Sequence, residues 1–226
     1  VGSGVLASAV AMDKDFAKQI FTAHKIGVAP GFSLREGDEI SDRGLGYPLF
    51  VKPARGGSSR GTHKVKSASE LKAAVADAFK YDKKIMIEKA IIGREIECAV
   101  LERNGAIECS LPGEIKIDPK FEFYDFEAKY LDNATTVVVP AEIKLVEAIQ
   151  TAAVEAFKAL GCSGLARVDF FYTDDDQIII NELNTAPGFT STSVYPKLWA
   201  ASGLSYTEII TALIETAKTR TNSVLH

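Results

Sequence analysis

No apolar run in the 226 residues approaches the ~20 needed to cross a bilayer as a helix, so a helical membrane span is not expected. The first ten residues, Val1 to Val10, carry no basic leader and are not expected to be a signal peptide. They also lack an initiating Met. Their density of small residues reads as the middle of a longer protein, cut just before a helix. Cysteine is scarce: Cys98, Cys109 and Cys162 are odd in number and have no metal-ligand spacing. They read as small buried hydrophobes in a reducing compartment. Excess positive charge is missing too. Lys and Arg total 26 against 30 Asp and Glu, a formal charge of −4. That balance gives no general attraction to nucleic acid or to an anionic membrane, so an anionic ligand has to be held by a local cluster of cations. There is no internal repeat, heptad run or low-complexity tract.

What is present is a packed, mixed chain. Hydrophobic residues make up 46% and charged residues 25%, which favours a soluble core over disorder. The length suits one large domain or two small ones. A first helix is predicted over 13–26, stopped by Gly27. Strands are predicted over 47–54, 63–66 and 85–88. Ser67 with Glu70 forms a capping-box pattern opening a helix to about Lys80. Strands over 95–102 and 106–111 join at Asn104-Gly105, a strong hairpin signal. Residues 112–136 show little periodicity, and so long a segment usually carries function or mobility. A helix over 142–160 ends at Gly161, and two more, 196–202 and 206–220, close the chain. Ser205 with Glu208 is a second capping box. Helices mixed with hairpins favour an α+β fold with mostly antiparallel sheets over a doubly wound parallel sheet. A boundary between subdomains is expected near residues 88–93.

The most informative stretch runs from Arg167 to Asn184. Residues 165–172 and 178–184 read as two strands of a hairpin, with Thr173, Asp174, Asp175, Asp176 and Gln177 as the turn. With the loop centred between Asp175 and Asp176, Asp169 lies opposite Glu182, and Arg167 opposite Asn184. Two carboxylates facing each other on a ladder are normally destabilising. A bound cation reverses that sign, and oxygen ligands of this kind suit Mg²⁺. A solvated acidic face explains Asp174, Asp175 and Asp176 well. It explains Asp169 and Glu182 poorly, since both sit in strongly apolar strands.

Other candidates are weaker singly. Lys52 lies inside an apolar strand and is followed by Gly56-Gly57-Ser58-Ser59-Arg60-Gly61. Glycines and hydroxyls there are suited to cradle a phosphate, although the Gly-Lys-Ser/Thr ending of a P-loop is absent. Lys14, Lys129 and Arg167 could add the positive charge a triphosphate requires. Gly188, in the turn after the acidic strand, could offer an N–H to an oxyanion. His24, His63 and His226 show no partner pattern. Ser58, Ser59 and Ser193 lack the strand–Ser–helix elbow of a hydrolase nucleophile. Trp199 and the Phe residues read as core.

These segments together resemble one family. Met12-Asp13-Lys14, Val51-Lys52-Pro53-Ala54 with Gly57-Ser58-Ser59, and Gly93-Arg94-Glu95-Ile96 look like motifs of the D-alanine–D-alanine ligases of the ATP-grasp superfamily. So do residues 123–130, 161–169 and 181–190, in order and with sensible spacing. The resemblance spans nearly the whole chain and implies an ATP-grasp fold, two α+β subdomains with mainly antiparallel sheets clasping ATP. Residues 1–88 would be the central subdomain. Residues 89–226 would be the C-terminal catalytic domain, with a mobile loop at about 112–136. The family's N-terminal domain, with its glutamate for the first D-alanine, would be absent. By the same resemblance Lys52 contacts the α/β-phosphates with Lys14 and Ser59 nearby, and Lys129 the γ-phosphate. Glu88 faces the adenine amino group, backbone around Lys89 and Ile91 holds the ring, and Glu95 binds the ribose. Asp169, Glu182 and Asn184 match ligands for two Mg²⁺ ions, with Mn²⁺ as a substitute. Arg167 and the Gly188 amide match the groups meeting the tetrahedral intermediate. Ser193 matches a serine holding the second substrate's carboxylate, and Ser58 and Tyr130 match members of a loop-closing triad. Tyr124 and Tyr130 favour D-alanine over the D-serine or D-lactate of the nearest rival ligases; a truncated ATP-binding fragment without ligase activity is the other reading. The implied enzyme makes a peptidoglycan precursor in the cytoplasm, as a homodimer at full length. Arg60 and Thr62-His63 depart from the family pattern.

Overall fold

A computed structural model describes residues 1–117, 135–190 and 192–220. In chain order the elements are α1 (Val5–Met12), α2 (Lys14–Ala23), β1 (Gly31–Arg35), β2 (Leu49–Pro53), β3 (His63–Val65), α3 (Ala68–Ala78), β4 (Lys84–Lys89) and β5 (Arg94–Arg103). They continue as β6 (Ala106–Cys109), β7 (Gly113–Ile117), β8 (Thr135–Val138), α4 (Val146–Ala159), β9 (Leu165–Tyr172), β10 (Ile178–Asn184), α5 (Val194–Ala201) and α6 (Tyr206–Thr219). No described helix is long and apolar enough to cross a membrane.

The strands form two sheets. The smaller is ordered β1-β4-β2-β3, the larger β10-β9-β5-β7-β8 with β6 also on β5. Every pairing between named strands is antiparallel, as an α+β chain rich in hairpins requires. Residues 90–93 carry the chain from one sheet to the other. The smaller sheet buries Leu49, Val51, Ile85 and Ile87 against Leu71 and Val75 of α3. The larger sheet is covered on both faces. On one, Ile96, Cys98, Val168 and Phe170 pack against Phe21 of α2 and Ile149 and Phe157 of α4. On the other, Ala99, Leu101 and Leu165 meet Trp199 of α5 and Ile209 and Leu213 of α6. The period-2 alternation therefore turns Glu95, Glu97, Arg167 and Asp169 to the second face, beyond the end that α5 and α6 cover. Helices α1 and α2, which the sequence division groups with the first subdomain, pack into the core of the larger sheet.

Several local expectations change. The helix expected over 13–26 is α2, shortened to Lys14–Ala23, and a second helix, α1, precedes it; the two are separated because Asp13 is extended (φ −90°, ψ 100°) and caps α2 by accepting the Phe16 N–H at 3.3 Å. Strand β1 was not expected. Residues 112–136 contribute strands at both ends, β7 and β8, which pair with each other. Helix α4 begins at Val146, four residues late; the Glu142 carbonyl that would open it accepts Arg94 Nη1 instead. The Ser67 capping box does not form. Ser67 Oγ bonds Ser69 Oγ, and Glu70 accepts the Lys66 N–H rather than that of Ser67. The Ser205–Glu208 box forms in full. Trp199 is core, but Phe16 is half exposed.

Candidate active site

Between the sheets lies a cavity of about 660 Å³, within the range of sites for small ligands. Pro48, Phe50, Ile91, Ile115 and Phe171 give it apolar walls, and Lys14, Lys52, Lys64 and Lys116 give it positive charge.

Helix α2 aims the first cations. Its N-terminus is tied down by Lys84, a buried lysine whose Nζ is 2.7 Å from Asp13 Oδ1 and 3.1 Å from Asp15 Oδ2. Lys14 and Lys18 follow one turn apart on one face of that helix. Lys14 donates to the Gly56 carbonyl at 2.8 Å and pairs with Glu182 at 3.2 Å. It thus links the helix, the glycine-rich loop and the acidic strand. Lys18 reaches deeper and binds Glu88 Oε1, while Lys52 binds Glu88 Oε2 at 2.7 Å. All three side chains are nearly buried. Burial pushes Lys18 down to about 8, and the like charges of Lys52 and Lys14 work in the same direction against the attraction of Glu88. Burial pushes Glu88 up, but Lys18 and Lys52 together overcome it and hold the carboxyl at about 2. One anion between two ammonium groups is secure, whereas each lysine has only a share of a partner. Lys52 is also 3.4 Å from Asn181 Oδ1.

The loop after β2 approaches through left-handed backbone at Ser58 (φ 51°) and Ser59 (φ 56°), and both line the cavity. On β4, Lys89 turns its ammonium to the carbonyls of Gly46 and Tyr47, 3.2 Å from each, and its N–H donates to Pro30 O. Arg94 forks onto Glu114 at 2.8 and 2.7 Å, bracing β5 against β7 at the rim.

The acidic hairpin has the expected opposition, reached by another route. Ile178, Ile179 and Ile180 face Tyr172, Phe171 and Phe170, a register centred on Asp175. A β-bulge between Ile180 and Glu182 then adds Asn181, which brings Glu182 opposite Asp169 and Asn184 opposite Arg167. The bulge is held from outside: the Ile180 N–H donates to Gly27 O at 2.8 Å. Gly27 permits that approach, since a Cβ there would sit 2.8 Å from the Ile178 carbonyl oxygen. Arg167 lies over Asp169 with Nε and Nη2 each 2.7 Å from a carboxylate oxygen. Its Nε is also 3.1 Å from Glu97 Oε2. Burial opposes the Arg167 charge, but Asp169, Glu97 and Glu182 raise its pKa further, so it is a permanent cation. Beyond β10, Ser193 Oγ accepts the Thr190 N–H at 3.0 Å. A Cβ on Gly188 would meet that Oγ at 2.8 Å.

Of the residues singled out by sequence, Lys14, Lys52, Ser58, Ser59, Glu88, Lys89, Ile91, Glu95 and Glu182 line one cavity. Asp169 is opposite Glu182 on the ladder, and the next pair on the same face is Arg167 opposite Asn184. Gly188 and Ser193 touch each other beyond it. Tyr124, Lys129 and Tyr130 lie outside the described residues. Sequence reasoning passed over Lys18 and Glu97. Their signals were present: Lys18 is four residues after Lys14 on a helix, and Glu97 is two after Glu95 on a strand.

Two antiparallel sheets facing across a lysine-lined cavity, with paired carboxylates on the larger, form an ATP-grasp fold. Residues 33–215 match the family described as D-ala D-ala ligase C-terminus. The chain belongs to that family. It is 50% identical over 226 residues to a D-alanine–D-alanine ligase of Oceanobacillus iheyensis, covering 96% of this chain and 61% of that protein. It is 53% identical over 228 residues to D-alanine–D-alanine ligase A of Chromobacterium violaceum, with the same two coverages. Among solved structures it resembles the VanG D-Ala:D-Ser ligase of Enterococcus faecalis, with TM-score 0.86, 39% identity, and 96% of this chain and 64% of that one covered. It also resembles the D-alanine–D-alanine ligase of Bacillus anthracis complexed with ATP, with TM-score 0.80, 30% identity and coverages of 96% and 69%. The chain spans about three fifths of the length of these two curated relatives.

Proposed function

We propose that this chain is the nucleotide-binding and catalytic part of an ATP-dependent ligase that joins two D-alanines through a D-alanyl phosphate, for peptidoglycan precursor synthesis. The observation that carries the reading is that Lys52, Glu88 and Glu182 line one cavity, with Lys18 on Glu88 from behind and Asp169 opposite Glu182 on the ladder. Lys14, Lys52 and Ser59 would receive the α/β-phosphates and Lys129 the γ-phosphate. Glu88, ionised by its two lysines, can only accept hydrogen bonds, which suits the adenine amino group. Backbone around Lys89 and Ile91 would hold the ring, and Glu95 the ribose hydroxyls.

Asp169, Glu182 and the Asn184 amide oxygen are hard donors of the kind Mg²⁺ prefers, with Mn²⁺ an alternative. The fit has a condition. Asp169 is now forked by Arg167 and Glu182 is paired with Lys14, so both cations must yield. Among the described residues no three acidic, His or Cys side chains already converge as a ligand set. When bound, the metal neutralises charge on the transferring phosphoryl group.

In the first step the carboxylate of one D-alanine attacks the γ-phosphorus, the bond to the β-phosphate oxygen breaks, and ADP leaves. In the second the amine of another D-alanine attacks the acyl carbon, and inorganic phosphate departs. The chain's part is positioning and charge. Arg167 and the Gly188 N–H would meet the oxyanion of the tetrahedral intermediate. Ser193 would hold the second carboxylate, with Tyr124 nearby. Ser58 and Tyr130 would hold residues 112–136 closed, keeping water from the acyl phosphate. A cytoplasmic homodimer at full length completes the proposal. D-serine as the second substrate is the alternative, suggested by the likeness to VanG.

The test uses the protein at the full length of its relatives, incubated with ATP, Mg²⁺ and D-alanine. Phosphate and D-alanyl-D-alanine should appear in equal amounts. Phosphate released without any amino acid would indicate a hydrolase and remove the ligase reading.

A further inference from the structure

Three carboxylates stand side by side on adjacent strands of the larger sheet. Glu97 of β5 is opposite Asp169 of β9, which is opposite Glu182 of β10. Lys14 pairs with Glu182, and the Arg167 guanidinium lies within ion-pair distance of both Glu97 and Asp169. Arg167 itself is opposite Ala99, whose small side chain leaves room above the strand for the guanidinium to lie back over the acids. Glu97 is buried, 5% exposed. Its contact with Arg167 differs from that of Asp169. The Nε–H is directed at Asp169 Oδ1 at 2.7 Å, so the 3.1 Å approach to Glu97 Oε2 is charge attraction rather than a directed bond.

Arg167 cannot keep its fork on Asp169 while both oxygens of that carboxylate turn to a divalent cation. An arginine released in this way would swing off toward solvent or the incoming phosphate unless a second anion held it. Glu97 is that anion, already within ion-pair distance and on the far side of Arg167's partner from Glu182. We propose that Glu97 is a positioning residue: it retains Arg167 over the site when Asp169 is given up to the metal, so that cation and guanidinium occupy the site together. The inference rests on the reading of Asp169 and Glu182 as cation ligands.

The measurement is the Kd of Mn²⁺ in the presence of ADP, from the electron paramagnetic resonance of free Mn²⁺, in the full-length protein. Without Glu97 the guanidinium stays on Asp169 and competes with the cation. Glu97→Gln should weaken Mn²⁺ about tenfold in the wild-type background and less than twofold in an Arg167→Met background, where no guanidinium competes for Asp169. Equal weakening in both backgrounds would mean that Glu97 acts only through its field, and no weakening in either would mean that it does not act at all. Each overturns the proposal. Glu97→Asp should restore most of the affinity; it also serves as the test variant should Glu97→Gln not fold. Asp169→Asn separates the two levels of the argument. If Mn²⁺ binding ignores it, the cation-site reading itself is wrong, and the role of Glu97 falls with it.

Discussion

Replacing Lys18 by Met tests how the buried cluster couples to nucleotide binding. Met nearly matches the volume of the lysine stem and removes the charge. In the intact protein Glu88 has two ammonium partners, Lys18 on Oε1 and Lys52 on Oε2 at 2.7 Å. Removing one partner of a buried ion pair typically costs ~3–5 kcal/mol, because a charge is left uncompensated. Here Lys52 remains, and the substitution also lifts the desolvation penalty that lowers Lys18 to about 8. The loss of folding stability should therefore stay below about 2 kcal/mol. Binding should suffer more. To engage phosphate, Lys52 must loosen its hold on Glu88, and in the variant no other cation among the described residues is paired with that carboxylate. Lys52 loosens its hold without leaving entirely, so only part of that ~3–5 kcal/mol is lost, and Kd for ATP should rise roughly 10- to 100-fold. The pH profile adds a signature. Lys18 is protonated below about 8 and neutral above it, so wild-type affinity should fall between pH 7 and 9. Lys18→Met should lack that step, and Lys18→Arg, which stays charged, should lack it while keeping tight binding. Calorimetric titration of ATP at several pH values reads all three. A Lys18→Met protein with wild-type affinity and an unchanged pH profile would refute the reasoning.

Other consequences are simpler. Arg167→Ala in the full-length enzyme should lower kcat by two to three orders of magnitude, the ~2.7–4 kcal/mol of a lost oxyanion donor; a near-normal rate in steady-state assays would remove it from the mechanism. The folded-state pKa of Glu88 is depressed to about 2, so its contribution to stability is complete above about 4.5 and lost as pH falls toward 2. Glu88→Gln should flatten acid denaturation within that window, as read by circular dichroism. Ser205→Ala removes the one complete capping box described and should cost ~1 kcal/mol, visible as a lower Tm, whereas Ser67→Ala, whose hydroxyl caps nothing, should not.

The fold class was legible because its signals are local. Alternating residues give the strands of the acidic hairpin, Asn104-Gly105 gives a turn whose two residues both have positive φ, and Gly161 ends α4 at φ 65°. What sequence could not supply was made by contacts distant along the chain. The opposition of Asp169 and Glu182 was expected from a turn one half-step off, and the bulge at Asn181 made good the difference. That bulge depends on Gly27, over 150 positions away. Helix α1 has no side-chain cap and no charged residue to announce it. Ser67 and Ser205 carry the same motif, yet only the second forms the box, since Lys66 offers Glu70 a competing N–H. Lys18 escaped notice for a similar reason. A lysine on an amphipathic helix reads as exposed until Glu88, 70 residues later, is found against it.

The central claim is that ATP occupies the cavity between the two sheets, with its phosphates on the lysines and its metal on the acidic hairpin. A crystal structure of the protein with a non-hydrolysable ATP analogue and Mg²⁺ tests it most directly. The account predicts the triphosphate against Lys14 and Lys52, Mg²⁺ on Asp169, Glu182 and Asn184, and Arg167 released from its fork on Asp169. A nucleotide bound elsewhere, or bound here with no cation at Asp169 and Glu182 and the Arg167 fork intact, would contradict it.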